Sequence, residues 1–232
     1  MKKLTLYFYL ALAAANIIGH YLNLSLLTQI SKTLLMPSLA LFFIQRWQGK
    51  KDISFLFTLI ALIFSWIGDV LLMFQHDNNS FFLFGLGAFL LAHITYMFDY
   101  YYLQINLGQK QNRTFIVLRV IILAFAGGAL LNVLWPHLSS MKIPVVLYTL
   151  VIVLMAVFAV LRRDRTSPSS FSFIYGGALL FIVSDGMIAV SRFLQPFNYQ
   201  SELIMLTYIF AQFFIVKGVL EHNRLVNSPE LT

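Results

Sequence analysis

The chain has 232 residues, of which 59% are hydrophobic and only 11% are charged, and it contains no cysteine. A soluble domain carries about 25% charged residues, so this composition excludes an ordinary soluble protein and indicates an integral membrane protein. The lack of cysteine excludes disulfides and thiol catalysis. The net charge of +7 lies in short loops between apolar segments, so orientation in a membrane explains it better than nucleic acid, and we predict no nucleic acid partner.

Eight segments of the chain are long and apolar enough to cross a membrane, which takes about 20 apolar residues in a helix. We predict an all-α fold in which residues 1–232 form one integral membrane domain of eight transmembrane helices. The predicted helices span residues 4–22, 26–44, 53–74, 81–103, 115–135, 143–161, 171–193 and 199–220. The first one imitates a signal peptide, but a polytopic protein needs no cleaved signal, so we interpret it as a retained helix.

The basic residues of the loops predict the orientation in the membrane. With eight spans, the positively charged loops and both chain ends fall on one face, and the opposite face has little positive charge beyond Lys142 and Arg192. Cytoplasmic loops carry an excess of lysine and arginine, so we expect both termini in the cytoplasm and a multi-pass protein of a bacterial inner membrane. The residues of the basic face are Lys2, Lys3, Arg46, Lys50, Lys51, Lys110, Arg113, Arg162, Arg163, Arg165 and Arg224.

Two of the apolar segments each contain one carboxylate. Asp69 lies in IFSWIGDVLLMF at residues 63–74, and Asp185 lies in LLFIVSDGMIAV at residues 179–190. A charge in hydrocarbon costs roughly 2.5–3.5 kcal/mol on insertion scales. A structural ion pair or a helix break at the neighbouring glycine would explain one such acid, but two acids at matched depth favour function. If they share a site, their repulsion leaves one protonated and one ionised, as chemistry through an oxocarbenium-like cation requires.

The predicted topology places further polar side chains at similar depth, which suggests one polar layer open to the non-cytoplasmic side. We predict substrate-binding roles for six of them: Asn16, Lys32, His93, Tyr96, Tyr148 and Tyr208. Other interpretations stay open, namely snorkelling for Lys32, a hydrogen-bonded core histidine for His93 and packing for the tyrosines. Asp99 is followed by three tyrosines near the cytoplasmic end and is interpreted as an interfacial residue.

No metal or other cofactor is predicted. A catalytic zinc site needs about three histidine or acid ligands with an open position. His93 is alone inside its segment, and the other histidines considered lie near helix ends. These are His20, His76 and His137.

Five motifs occur in order along the chain. They are KTLLMP at 32–37, SWIGDVLLM at 65–73, GLGAFLLAHITY at 85–96, GALLFIVSD at 177–185 and YIFAQFFIV at 208–216. Together they resemble the YhhN-like lysoplasmalogenase family of membrane proteins, and the resemblance runs from the second predicted helix to the eighth. Thr33 departs from the family pattern, in which a proline is expected.

The resemblance implies an eight-helix bundle that hydrolyses the vinyl ether bond of lysoplasmalogens. The products would be a fatty aldehyde and glycerophosphoethanolamine or glycerophosphocholine, and Asp69 and Asp185 would be the essential acids. The expected partners are therefore a lysophospholipid substrate and membrane lipid, and no oligomeric state is predicted. The chemistry is consistent, because a vinyl ether hydrolyses through protonation at carbon, which one carboxylic acid can perform while an ionised partner stabilises the cation. Lys32 is the best-placed cation for the headgroup phosphate.

Two other classes of function stay open. Intramembrane acids also mark ion paths, so a proton-coupled transporter using the same aspartates is the alternative, with the third and seventh helices as a short internal repeat. A lipid-binding or assembly factor without turnover is the third.

Overall fold

The computed structural model describes residues 4–75, 78–104 and 111–227 of the chain. These residues form eight long helices, each long and apolar enough to cross a membrane, so the predicted all-α multi-pass architecture is confirmed. The helices are α1 (Leu4–Tyr21), α2 (Ser25–Arg46), α3 (Ile53–Met73), α4 (Asn79–Tyr102), α5 (Arg113–Leu134), α6 (Lys142–Leu161), α7 (Pro168–Phe193) and α8 (Gln200–Val226).

Several of these helices begin at polar side chains that satisfy their free N–H groups. Asp52 accepts a hydrogen bond from the backbone of Phe55 at the start of α3, and Asn112 caps α5 in the same way. Ser167 caps α7 and is followed by Pro168, which fits the first helical position because proline has no N–H to satisfy. The loop residues therefore define where these helices start.

The largest difference from the predicted bounds is at the end of α8, which continues to Val226 instead of ending near residue 220. Hydropathy falls there because the last turns are polar. However, Asn223 is buried, and its side chain exchanges hydrogen bonds with the backbone of Gln48, at 2.9 Å and 3.1 Å. Helix α8 therefore extends beyond its apolar stretch, with its polar end packed on the loop after α2.

Seven of the helices close into a ring. Going round, α1 packs on α2, α2 on α3, α3 on α4, α4 on α6, α6 on α7, α7 on α8, and α8 on α1. The remaining helix, α5, lies outside this ring against α6 and α7. Glycine allows the closest approach, since a Cβ at Gly177 of α7 would lie 2.8 Å from the carbonyl oxygen of Ala211 in α8.

The two ends of the described chain lie at one face of the bundle, which we call the terminal face. The Thr5 side chain of α1 bonds Gln45 at the end of α2, and the end of α2 contacts the end of α8 through Gln48 and Asn223. The other end of the bundle is called the opposite face. Which of the two faces the cytoplasm stays a prediction, and Lys2, Lys3 and Lys110 of the predicted basic face lie outside the described residues.

Two charged residues near the terminal face are buried, contrary to expectation. Asp99 is not interfacial but fully buried, and it accepts hydrogen bonds from Ser54 (2.6 Å) and Thr58 (2.8 Å). Arg162, counted above among the loop cations, is also fully buried and donates to Ser170 at 2.9 Å. Burial lowers the pKa of Arg162 to about 10, and the charge of Asp99 acts in the opposite direction. Hydrogen bonds with neighbouring hydroxyl groups therefore offset part of the cost of burying these two side chains.

Candidate functional site

Asp69 lies in the last third of α3 and is 2% exposed. The hydroxyl of Tyr208 in α8 donates to its Oδ2 at 2.7 Å. The ammonium of Lys32 in α2 lies 3.8 Å from its Oδ1. Lys32 therefore forms an ion pair inside the bundle, and only 18% of its side chain is exposed. We call these three residues the Asp69 cluster.

Asp185 in α7 is surrounded by a different pair of side chains. The hydroxyl of Tyr148 in α6 donates a short hydrogen bond to its Oδ2. The Nε2 atom of His93 in α4 lies 3.2 Å from the same oxygen and 3.0 Å from the Tyr148 hydroxyl. Both partners therefore lie at Oδ2, and no residue that the structure describes donates a hydrogen bond to Oδ1. We call these three residues the Asp185 cluster.

An aromatic partition separates the two clusters. The ring of Tyr208 lies edge-to-face against Phe89 and Phe181, at centroid distances of 5.8 Å and 5.5 Å. The His93 ring meets Phe181 from the other side, at 4.6 Å. Phe89 can lie there because Gly68 has no side chain, since a Cβ at Gly68 would come within 2.6 Å of the phenyl ring. Each of the two acids therefore has its own partners.

Two of the six predicted binding residues lie elsewhere. Tyr96 donates to Gln212 at 2.7 Å, and Gln212 donates to Ser65 at 2.9 Å, so these three form a polar chain beside the clusters. Asn16 is fully buried and donates to the carbonyl of Thr28 and the hydroxyl of Ser31, both at 3.1 Å. Its contacts hold α1 against α2, so we leave Asn16 out of the site.

A pocket opens beside the Asp185 cluster, and we call it the apolar pocket. Asp185 is the one charged residue among the described residues that line it. Its wall comes from α3 to α7, including the outer helix α5, and consists mainly of aliphatic and aromatic side chains. The lining residues include Leu72, Phe82, Tyr148, Asp185, Gly186 and Ile188.

A second pocket lies on the side of the opposite face, and we call it the vestibule. Its lining mixes polar and apolar side chains and includes Lys32, Arg192 and His20. Leu72 and Ile188 line both pockets, so the vestibule and the apolar pocket are neighbours. Arg192 also lies over the ring of Phe82, 4.8 Å from its centroid, and Phe82 lines the apolar pocket.

The YhhN family model matches residues 27–219 of the chain. The chain belongs to the YhhN family. The matched region includes every residue of the two clusters, whereas Asn16 lies before it.

Several curated relatives of this YhhN protein carry the name lysoplasmalogenase. The protein of Mycobacterium bovis is 32% identical over 160 residues, which cover 68% of this chain and 58% of the relative. Human lysoplasmalogenase TMEM86B is 32% identical over 161 residues, covering 69% of this chain and 62% of the relative. The chain thus spans about three fifths of the length of these relatives. Bovine lysoplasmalogenase TMEM86A is 30% identical over 183 residues, covering 75% and 69%. No solved structure matches the chain.

The arrangement is suited to acid chemistry on an amphiphilic molecule. A carboxyl group at the wall of an apolar pocket can deliver a proton to a group held there, and the cationic vestibule next to it suits a phosphate. Among the described residues, no group of three histidine, aspartate or glutamate side chains is placed to hold a metal ion. The sequence did not predict that Arg192 lines the vestibule. From the sequence alone, Arg192 is one of two cations on the face of the bundle with little positive charge.

Proposed function

We propose that this YhhN protein is a membrane lysoplasmalogenase. It would hydrolyse the vinyl ether bond of lysoplasmalogen-type lysophospholipids to a fatty aldehyde and a glycerophospho-alcohol. The observation that carries the proposal is the carboxyl group of Asp185 at the wall of an apolar pocket that adjoins a cationic vestibule. The names of the relatives support the same reaction.

In the proposed reaction, Asp185 is the general acid. Its Oδ2 accepts from Tyr148 and lies 3.2 Å from Nε2 of His93, so the proton is placed on Oδ1, the oxygen without a partner among the described residues. Transfer of this proton to the β carbon of the vinyl ether gives an oxocarbenium ion. Water adds to the carbon that bears the ether oxygen, and a proton from this water returns to the Asp185 carboxylate. The resulting hemiacetal then splits into the aldehyde and the glycerol hydroxyl, so each turnover consumes one water.

Asp69 has a different proposed role. Its carboxylate is paired with Lys32 and bonded by Tyr208, and it lines neither of the two pockets. Asp69 would therefore hold Lys32 at the vestibule and stabilise the oxocarbenium ion by its negative charge across the aromatic partition.

The decisive experiment measures aldehyde release from lysoplasmenylethanolamine by the purified protein in detergent. The wild type, Asp185→Asn and Asp69→Asn are compared with Asp52→Asn, whose asparagine can still cap α3. Loss of a general acid typically costs about 10²–10⁴-fold in rate, so Asp185→Asn should lose that much and Asp52→Asn should stay at the wild-type rate. Full activity of a folded Asp185→Asn protein would contradict the proposal.

A proton-coupled transporter is the second candidate, and one observation favours it. Ser65, Gln212 and Tyr96 form a hydrogen-bonded chain inside the bundle, and Asp69 and the buried Asp99 lie on the same two helices as Ser65 and Tyr96. Such a chain could relay protons across the bundle. Proton-driven uptake into vesicles that requires Asp69, with no aldehyde formed from lipid, would favour this function over hydrolysis.

We also propose that the protein lies in a bacterial inner membrane with the terminal face in the cytoplasm, as the basic loops suggest. The vestibule would then open toward the outer leaflet. Carboxy-terminal fusions test this, because a cytoplasmic end gives a fluorescent GFP fusion and an inactive alkaline phosphatase fusion. The reverse pair of results would contradict the orientation.

A further inference from the structure

We infer that the hydroxyl group of Thr149 holds the water molecule that attacks the oxocarbenium ion, which makes Thr149 a further catalytic residue. This inference rests on the proposed function, because it assigns a residue to the second step of that reaction. It concerns the moment after Asp185 has given up its proton, when a water must reach the carbon that bears the ether oxygen.

The needs of that water are the first argument. A water inside a protein typically makes about three hydrogen bonds, and two is the lower limit. Asp185 supplies one partner, because its carboxylate takes up a proton from this water. The wall of the apolar pocket must therefore supply at least one more polar group.

The lining of the apolar pocket leaves one candidate. Among the described residues of its wall, only Tyr148, Thr149 and Asp185 have polar side chains. The Tyr148 hydroxyl is occupied, because it donates to Oδ2 of Asp185 and lies 3.0 Å from Nε2 of His93. Within this part of the structure, the Thr149 hydroxyl is thus the one polar side-chain group of the wall that other contacts leave free.

Thr149 also differs from other threonines of the membrane-spanning helices. A threonine hydroxyl in a helix can bond the carbonyl four residues earlier, and Thr33, Thr95 and Thr207 do so, each at 2.8 Å. Thr149 is only 9% exposed, yet its hydroxyl makes no hydrogen bond with any described residue. Leaving a hydroxyl unpaired in an apolar wall costs free energy, which suits a group whose partner arrives with the reaction.

Helix α6 places this hydroxyl at the pocket of the acid. Tyr148 and Thr149 are consecutive in α6, and the first bonds Asp185 while the second lines the same pocket. The methyl group of Thr149 faces α5, since it would lie 3.4 Å from a Cβ atom at Gly127. The contact with α5 is therefore made by the methyl group and does not use the hydroxyl.

The proposed step balances without a further reagent. A water held between the Thr149 hydroxyl and Oδ1 of Asp185 forms a bond to the cationic carbon, and the π electrons between that carbon and the ether oxygen return to the oxygen. One proton of the water passes to the Asp185 carboxylate. Thr149 neither gains nor loses a proton, because it only orients the water.

Thr149→Val tests the inference, because it removes the hydroxyl and keeps the methyl group and the size of the side chain. A hydrogen bond to a group that becomes charged is worth about a tenfold change in rate or more, so kcat for aldehyde release should fall at least about tenfold while KM changes little. The unfolding midpoint should not fall, because the lost hydroxyl bonds no described residue. Thr149→Ser keeps the hydroxyl and should retain most of the wild-type rate.

Thr207→Val is the matched control. It also removes a threonine hydroxyl from a membrane-spanning helix, but that hydroxyl bonds its own helix and the residue lines neither pocket. It should keep the wild-type kcat.

Deuterium incorporation shows which step has slowed. In D₂O, Asp185 delivers a deuteron to the β carbon, and an oxocarbenium ion that water captures slowly can return a proton from that carbon to Asp185 and become a vinyl ether again. Vinyl ether lipid recovered from Thr149→Val should therefore carry deuterium at the β carbon. Asp185→Asn, which cannot start the reaction, should incorporate none.

The outcomes separate this inference from the proposed function. If the wild type releases no aldehyde, the hydrolase proposal fails and this inference fails with it. If the wild type releases aldehyde and Thr149→Val keeps its kcat, or loses activity with no deuterium in the recovered lipid, the hydrolase stands and Thr149 does not hold the water. An equal loss of activity in Thr207→Val would also overturn the inference.

Discussion

Replacing Tyr148 by phenylalanine tests whether the Asp185 cluster orients the acid. The substitution removes the hydroxyl that donates to Oδ2 of Asp185 and lies 3.0 Å from Nε2 of His93. The aromatic ring stays, and so does its edge-to-face contact with His93, at a centroid distance of 5.4 Å. The change therefore removes one hydrogen bond and leaves the shape of the apolar pocket intact. In this scheme Tyr148 is a positioning residue, because it acts through Asp185.

The size of the effect follows from the lost hydrogen bond. Asp185 becomes a carboxylate as it gives up its proton, and a hydrogen bond to a charged group contributes roughly 1.5–3 kcal/mol. Each 1.36 kcal/mol corresponds to about a tenfold change in rate. If that energy keeps Oδ1 of Asp185 turned toward the pocket, kcat should fall about 10- to 100-fold in Tyr148→Phe. KM should change little, because the hydroxyl is already occupied by the carboxylate and is not needed to hold the lipid.

The assay is aldehyde release over a range of lipid concentrations, with the unfolding midpoint measured on the same preparations. Tyr96→Phe is the matched control, because it also removes a buried hydroxyl, the one that donates to Gln212 at 2.7 Å, but touches neither aspartate. It should cost about 1 kcal/mol of stability and leave kcat near the wild-type value. The reasoning is refuted if Tyr148→Phe keeps the wild-type kcat, or if Tyr96→Phe loses as much activity as Tyr148→Phe.

Two further predictions concern the apolar pocket and the terminal face. Gly186 lines the pocket and a Cβ there meets no atom closer than 3.7 Å, so Gly186→Leu should fold and fill the pocket. At about 0.8 kcal/mol per excluded methylene, KM for an 18-carbon chain should rise at least tenfold, whereas KM for a short chain should stay the same. Gly128→Leu is the control, because no atom lies near the Cβ position of Gly128, and it should change neither KM. Arg162→Met removes the hydrogen bond that the buried guanidinium donates to Ser170 and should lower stability by about 1–3 kcal/mol, measured as a fall in the unfolding midpoint that Arg165→Met does not produce.

The helices could be predicted because each one is a continuous run of apolar residues long enough to cross a membrane. The positions of Asp99 and Arg162 were predicted wrongly because such a run contains no information about the other helices. Asp99 and Arg162 lie at or near the ends of apolar stretches, so the sequence pattern alone places them at the interface and in a loop. The hydroxyls that bond the buried Asp99 come from Ser54 and Thr58 of α3, 45 and 41 residues away, and the one that bonds Arg162 comes from Ser170 of the next helix. A pattern along one helix carries no record of partners on another.

The depth of the site residues could also be predicted from the sequence, because the topology relates position along a helix to height in the membrane. The direction in which each side chain points around its helix axis could not be predicted. Tyr208 and Lys32 therefore fell into one predicted layer with His93 and Tyr148, although the structure gives the first two to Asp69 and the other two to Asp185. Only the packing of α4 against α6 and α7 separates these sets, and that packing depends on the whole ring.

The aromatic partition between the clusters has a consequence for the proposed mechanism. Two carboxylates that share one site would exchange roles easily, and removing either would have the same effect. Here Phe89 and Phe181 stand between them, and only Asp185 lines the apolar pocket. Loss of Asp185 should therefore lower kcat for every chain and headgroup. Loss of Asp69 also releases Lys32, so its effect should appear in KM as well.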